Sequence, residues 1–521
     1  MGIPEILRHA VRLYGNRPAI LCGGRWTTYA ELGDRAGRLA AALARRGLEP
    51  GGRVAALLPN VRPFLDLYFA APLARAILAP LNHRLSAGEL AAILDHSGAS
   101  LLVTHTRFAR KAAEAARAAA RPPRILWVGE PPCPPAEEGE GLEEAVSGET
   151  GDEGSDPRDD PAEGDPAHLY YTSGTTGSPK GVILTHRNVC THALMAIAEL
   201  SISDRDVWLH AAPMFHLADA WAAFAVTWAG GRHVMAPSFE PGAALSLMEE
   251  EGVTLTNLVP TMLHALVRHP GAADRRFPSL RLLLSGGAPI APALVRSIME
   301  TFRCEYWQTY GLTETSPYLT ISKPKAGFED LPAEEAFRYR ASTGRPLAGV
   351  ELRVVDDEGR EVPADRRAVG EIVVRGPTVT PGYWRNPEAT AEAFRGGWFH
   401  TGDLAVRDPE GYVDIVDRRK DVIITGGEKV YSVEVEAVLC GHPGVSEAAV
   451  VGIPDEAWGE SVKAVVVRAP GSTVGERELI EHCRSRLAHF KAPRSVDFAE
   501  FLPRTGSGKV CKRELRESGR N

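Results

Sequence analysis

The sequence predicts an α/β protein: a large N-terminal α/β domain with sheets flanked by helices, followed by a small, mobile α+β C-terminal domain. Three observations carry this expectation. Short apolar runs alternate with helix-period segments from residue 26 to 105, which implies largely parallel sheets with helices on their faces. A chain of 521 residues is too long for one ordinary core. The texture then changes at Val416-Asp-Arg-Arg-Lys-Asp421, where charged residues separate two apolar runs.

At the N-terminus, Ile3, Ile6, Leu7, Ala10, Val11 and Leu13 share the apolar face of an expected helix packed on its own domain. Tyr29-Ala-Glu-Leu32 opens a second helix that runs through Leu39 and Leu43. Val54–Leu58 and Leu101–Val103 read as buried strands, and Phe64–Leu73 as the helix between them. Residues 131–166 are rich in Pro, Gly, Asp and Glu, so they are expected to form an exposed, mobile loop that buries no face. Leu169-Tyr-Tyr171 and Gly181–Leu184 are strands on either side of a Gly/Thr/Ser loop, and Asn188–Leu200 is a helix. Beyond the charged junction, Val433–Leu439, Glu447–Val451, Val462–Val467 and Glu476–Leu487 alternate again, enough for a small domain. The expected division is 1–416, a hinge at 417–420, and 421–521, because a polar lysine-bearing junction absorbs domain rotation.

Composition excludes several classes. Apolar content of 44% and charged content of 24% are those of a globular protein, and no stretch is long and apolar enough to span a bilayer. Any membrane contact would be peripheral. A net charge of -8 and the lack of a basic tract interleaved with aromatics argue against nucleic-acid binding. Seven cysteines without a Cys-x-x-Cys pair suit a reduced, cytoplasmic protein with neither a zinc site nor a disulfide framework. Lysine is scarce: ten of the 59 basic residues. Lys180, Lys420 and Lys509 nevertheless sit in or beside glycine-bearing motifs, which suggests that these positions require a compact ammonium.

The run Tyr171-Thr-Ser-Gly-Thr-Thr-Gly-Ser-Pro-Lys180-Gly181 is the most telling. Hydroxyls and backbone N–H groups of such a loop can turn toward one anion, with an ammonium closing the cradle, and glycines let the backbone come close. A polyphosphate is the expected guest. The ordinary P-loop ends in Gly-Lys-Ser/Thr, whereas here Lys180 precedes Gly181, so this is a different cradle. Further motifs follow in order: Ser285-Gly-Gly-Ala-Pro289, Tyr310-Gly-Leu-Thr-Glu314, Gly370-Glu-Ile372, Gly382-Tyr-Trp384, Gly397–Asp403, Asp417-Arg-Arg-Lys420, Gly426-Gly-Glu428 and Pro503–Lys509.

This ordered set resembles the adenylate-forming superfamily of acyl-CoA and aryl-CoA synthetases, luciferases and nonribosomal peptide adenylation domains, from about Thr28 to Leu515. The resemblance implies ATP, Mg²⁺ and coenzyme A as partners of a small carboxylic acid. It implies that Thr172, Ser173, Gly174, Thr175, Thr176, Gly177 and Lys180 hold the β,γ-phosphates. Gly287, Ala288 and Pro289 would sandwich adenine against Tyr310 and its neighbour Gly311. Thr313 would touch the α-phosphate and Glu314 would ligate Mg²⁺, a hard cation suited to carboxylate and phosphate oxygens. Asp403 would accept from both ribose hydroxyls, and Arg418 would reach ribose and phosphates. Lys509 would bridge the substrate carboxylate and the α-phosphate, and its acetylation would erase the charge that the first step needs. Rotation about Lys420 would then present a second face of the small domain, with Gly426 and Gly427 lining the pantetheine tunnel.

The acid is less legible. Pro213-Met-Phe-His216 matches the superfamily motif in which His216 gates the acyl pocket. Amino-acid-activating relatives place an aspartate near the position of Leu217, and Asp219 lies two residues away, so an apolar acid is expected. Tyr310–Pro317 resembles the medium- and long-chain fatty acid ligase branch. An aryl- or phenylpropanoid-CoA ligase is the alternative, and a stand-alone module loading a carrier protein is the other. Ser432 stands where proline is common in the superfamily, and Ala76 where glycine is common.

Overall fold

The computed structural model describes residues 1–129, 139–149, 160–172, 180–504 and 510–518, and the chain divides into two compact units. The first comprises Met1–Glu351 with Arg375–Arg395. The second comprises Leu352–Val374 with Gly396–Asn521. The second unit thus includes two stretches that lie before the expected hinge at 417–420.

In the first unit, strands Arg53–Leu57, Ile77–Pro80, Leu101–His105 and Arg124–Val128 are parallel neighbours, and Ile77–Pro80 continues in parallel to Pro166–Thr172. A second sheet runs in parallel through Arg232–Met235, Val207–His210, Leu255–Leu258, Leu282–Ser285 and Glu305–Gly311, then turns antiparallel at Tyr318–Ile321. The strands Arg53–Leu57, Ile77–Pro80 and Leu101–His105 are buried along most of their length, which is why they read as apolar runs, whereas Val207–His210 and Leu255–Leu258 are as buried but carry His210, Thr256 and Asn257. Alternate residues serve different cores. Val54 and Ala56 face helices Ile3–Tyr14, Tyr29–Arg45 and Arg62–Leu73, whereas Ala55 and Leu57 pack toward Ala87–Ser97 and Ala109–Ala118.

Helix starts are written in the sequence. Thr28 with Glu31 and Thr185 with Asn188 form reciprocal capping boxes ahead of Tyr29–Arg45 and His186–Leu200. The N-terminal helix buries Ile3, Ile6, Leu7 and Ala10 as expected, but Leu13 is 57% exposed.

The expectation that residues 131–166 bury no face is overturned in part. Glu140–Gly141 adds to the strand Arg124–Val128, and the short helix Leu142–Ser147 buries Leu142, Ala145 and Val146. Their i, i+3, i+4 spacing makes an apolar stripe that the surrounding acidic composition conceals. Residues 130–138 and 150–159 lie outside the described residues.

The second unit holds an antiparallel sheet in which Trp398–Arg407 pairs with Gly370–Arg375 and Val413–Arg418. Its other sheet pairs Val445–Asp455 with Gly459–Arg468, which is flanked by Ile423–Thr425 and, in parallel, by Ser495–Phe498. Val435, Leu439, Val450, Val466, Leu479 and Cys483 form the core beneath helices Ser432–Cys440 and Glu476–Arg484.

Candidate active site

In the first unit the candidate groups sit at or just beyond strand ends, the usual place for ligands in α/β sheets. Thr172 pairs with Lys180 across the antiparallel strands Pro166–Thr172 and Lys180–Thr185, so the two ends of the anion loop meet. Ser173, Gly174, Thr175, Thr176 and Gly177 lie outside the described residues. Gly287, Ala288 and Pro289 follow the strand Leu282–Ser285 directly, with Gly287 and Pro289 exposed. Tyr310 and Gly311 end the neighbouring strand, and Tyr310 is half-buried. Gly311 has no room for a side chain: a Cβ there would lie 1.7 Å from the carbonyl oxygen of Pro317.

Thr313 and Glu314 occupy the 3₁₀ turn Thr313–Thr315. The turn is held by Leu312 N–H donating to Thr315 Oγ1 at 2.9 Å and by Thr380 N–H donating to the Glu314 carbonyl at 2.8 Å. The Tyr383 hydroxyl donates to Glu314 Oε1 at 2.9 Å, and the Lys180 ammonium lies 5.1 Å from the centroid of the same ring. Burial, and then the Glu314 charge, hold the Tyr383 phenol well above its ordinary pKa, so it stays protonated and donates. Sequence reasoning noted Gly382-Tyr-Trp384 as a motif but gave Tyr383 no role.

His216 precedes the helix Leu217–Ala229, half-buried against Phe215 at 4.5 Å between ring centroids. That helix is fixed from below. Asp219 is fully buried and accepts from Trp208 Nε1 at 3.1 Å and from His210 Nδ1 at 2.7 Å. His210 continues to His233 at 2.9 Å, and His233 to Thr227 at 3.0 Å. The Asp219 carboxylate is thus engaged inside the core and is not placed to meet a substrate ammonium. Trp221 Nε1 donates to the Tyr318 hydroxyl at 2.9 Å, which joins this helix to the strand following the Tyr310 motif. Burial lowers the His192 pKa to about 3, so its neutral Nε2 accepts the Tyr318 N–H at 3.3 Å.

In the second unit, Asp403 and Arg418 are cross-strand partners, with Arg418 Nε 3.0 Å from Asp403 Oδ1. Sequence reasoning assigned both to the ribose end of the nucleotide, and the fold brings them together. Glu371, from the Gly370-Glu-Ile372 motif, braces the turn before Asp403: it accepts from Gly402 N–H at 3.1 Å and pairs with His400 and Arg419 at 3.0 Å.

Lys420 lies in the 3₁₀ turn Arg419–Asp421, whose Asp421 pairs with Arg516 at 2.7 Å. Gly426 and Gly427 both take positive φ, +59° and +83°, between strands Ile423–Thr425 and Glu428–Val430. A Cβ on Gly426 would lie 2.7 Å from the ring of Trp458, which is half-exposed with Arg494 4.5 Å above it. Lys509 lies outside the described residues, but the flanking Arg504 and Val510 form a β-bridge and Cys511 N–H donates to the Pro503 carbonyl at 2.7 Å. Of the cations after Lys509, Arg513 is exposed while Lys512 is enclosed. Lys512 pairs with Glu436 at 2.7 Å and donates to Ser432 Oγ at 2.5 Å.

Among the described residues no group of three or more His, Cys, Asp or Glu could hold a metal by itself, and no helix is long and apolar enough to cross a membrane. A single braced carboxylate fits Mg²⁺, which takes one or two protein carboxylates and completes its shell with water and phosphate oxygens.

Comparison with known proteins places the chain among relatives of one family. The family profile of AMP-binding enzymes matches residues 7–384, and that of the AMP-binding enzyme C-terminal domain matches residues 434–509. A feruloyl-CoA synthase of Amycolatopsis sp is 41% identical over 97% of this chain and 96% of its own length. A long-chain-fatty-acid–CoA ligase of Thermus thermophilus is 40% identical over 100% of this chain and 96% of its own. ATP-bound MatB from Rhodopseudomonas palustris superposes with a TM-score of 0.87 at 34% identity, covering 100% of this chain and 99% of that one. With its nucleotide motifs in order along a matching fold, the chain belongs to the family of AMP-binding enzymes.

Proposed function

We propose that this AMP-forming acyl-CoA ligase activates an apolar carboxylic acid, a medium- or long-chain fatty acid, and passes it to coenzyme A. The observation that carries the reaction is the meeting of Lys180 and Glu314 on Tyr383, which puts an ammonium and a carboxylate beside the anion loop. The apolar acid is supported by Asp219, whose carboxylate is consumed by Trp208 and His210.

A carboxylate is a poor electrophile at its carbonyl carbon, so its oxygen first attacks the α-phosphorus of ATP. The bond to the bridging oxygen breaks, giving acyl-adenylate and pyrophosphate. Lys180 and Lys509 supply positive charge already in place as charge moves onto the phosphate oxygens. Glu314 would hold Mg²⁺, which when bound neutralises phosphate oxygens. Tyr310 offers adenine an aromatic face, Thr313 contacts the α-phosphate, and Asp403 with Arg418 engages the ribose. In the second step the CoA thiolate attacks the acyl carbonyl and AMP leaves. Lys509 withdraws for this by rotation of the small domain about Lys420, leaving Gly426 and Gly427 beside the pantetheine arm. His216 gates the acyl pocket. The scattered cysteines and the use of ATP and CoA suit a cytoplasmic enzyme.

The likeness to a feruloyl-CoA synthase favours a second reading, in which the acid is a phenylpropanoid. CoA-dependent AMP formation across acids from acetate to palmitate, with benzoate and coumarate, separates the two. A maximum among alkanoates supports the fatty acid reading, and a maximum with an aromatic acid replaces it with the second. Pyrophosphate release without CoA consumption would refute both and identify a carrier-protein acceptor.

A further inference from the structure

We infer that Tyr383 is a positioning residue that sets the metal-binding carboxylate of Glu314 and the phosphate-binding ammonium of Lys180 relative to each other. The inference rests on the roles proposed above for those two residues and adds the part that joins them. Three segments distant in sequence meet here. Trp384 N–H donates to the Gly181 carbonyl at 2.7 Å, and Ile183 N–H to the Gly382 carbonyl at 3.1 Å. Val182 and Tyr383 form an antiparallel bridge. Thr380 N–H reaches the Glu314 carbonyl at 2.8 Å, while Thr380 Oγ1 donates to the Ile183 carbonyl at 2.5 Å. The backbone around Tyr383 is therefore registered against both the lysine strand and the glutamate turn independently of the Tyr383 side chain.

The side chain then serves both partners with different parts. Its hydroxyl donates to Glu314 Oε1 at 2.9 Å, which fixes the rotation of a flexible carboxylate and orients its remaining lone pairs. Its ring presents the electron-rich face to the Lys180 ammonium, 5.1 Å from the centroid. An aromatic ring attracts a cation without neutralising it, so the charge stays available to a phosphate. A second carboxylate at this position would instead pair with the lysine and repel both the nucleotide and Glu314. A tyrosine supplies the donor and the neutral face in one side chain.

Titration calorimetry of ATP with and without Mg²⁺ tests this on the full-length chain. Tyr383→Phe keeps the ring and loses the donor, so Mg²⁺-dependent ATP binding should weaken about tenfold, while ATP binding without Mg²⁺ stays within about twofold. Tyr383→Leu should weaken both. Thioester formation from supplied acyl-adenylate should be unchanged in Tyr383→Phe, because that step has already lost its pyrophosphate. Mg²⁺-dependent binding equal to the parent in Tyr383→Phe would overturn the inference, as would an equal loss in both half-reactions. Glu314→Gln separates the levels. If it shifts the Mg²⁺ dependence and Tyr383→Phe does not, the inference alone fails. If Glu314→Gln leaves the Mg²⁺ dependence intact, the proposed role of Glu314 fails and the inference falls with it.

Discussion

Two lysines, one in each unit, show how the same side chain is put to different uses. Lys180 rests against a neutral aromatic ring, with its charge left for an anion. Lys512 is enclosed by its own unit, where its ammonium meets Ser432 Oγ and Glu436 Oε1. Ser432 in turn donates its backbone N–H and its hydroxyl, the latter at 2.8 Å, to Asp417 at the start of the expected hinge. Burial raises the pKa of both Asp417 and Glu436, and Lys512 opposes the rise in each. A lysine whose partners are all protein groups holds a fold together. A lysine whose contact among the described residues is a polarisable ring keeps its charge for a ligand.

The largest effects are expected at the two lysines proposed to face the phosphates. Lys509→Ala should abolish acid-dependent pyrophosphate exchange, by more than about a thousandfold, yet spare thioester formation from acyl-adenylate. Equal loss of both steps would remove the two-face account of the small domain. Lys180→Ala should reduce exchange by about a hundredfold or more, with an unchanged melting transition.

Structural positions should behave in the opposite way. Asp219→Asn leaves Trp208 and His210 imperfectly paired in the core and should cost about 2–3 kcal/mol, read as a lower melting temperature. Lys512→Met should cost about 2 kcal/mol, because it removes the cation paired with Glu436 and opposing the buried charge of Asp417. That cost depends on pH with a definite sign. Asp417 and Glu436 have folded pKa values above their unfolded ones, so the native state binds the extra protons and stability falls as pH rises through that interval. Loss of Lys512 raises both values further. The penalty should therefore be full at neutral pH and shrink as the pH falls into the ordinary carboxylate range, as melting curves of parent and variant across pH will show. The smallest effect is expected for Ser432→Pro: proline suits the first turn of the helix, but it removes two donors to Asp417, for about 1–2 kcal/mol.

Local signals made much of this legible before the structure. The capping residues Thr28 and Thr185, the apolar runs at Val54 and Leu101, and the glycine-bearing motifs all depend on near neighbours in sequence. What escaped depends on pairing between distant segments. Nothing local says that 352–374 joins 396–418 in one sheet, so the charged junction at 416–421 stood out as the boundary instead. Leu142, Ala145 and Val146 were hidden by acidic surroundings. Tyr383 carried one signal, a Gly-Tyr-Trp motif, but its meaning appears only when Glu314 and Lys180 are brought to it.

The most direct test of the contrast is pyrophosphate exchange and thermal melting measured side by side for Lys180→Ala and Lys512→Met. Lys180→Ala should lose exchange and keep its melting temperature, whereas Lys512→Met should melt lower and retain exchange at temperatures where it is folded. Loss of exchange in a fully folded Lys512→Met as deep as that in Lys180→Ala would contradict the contrast.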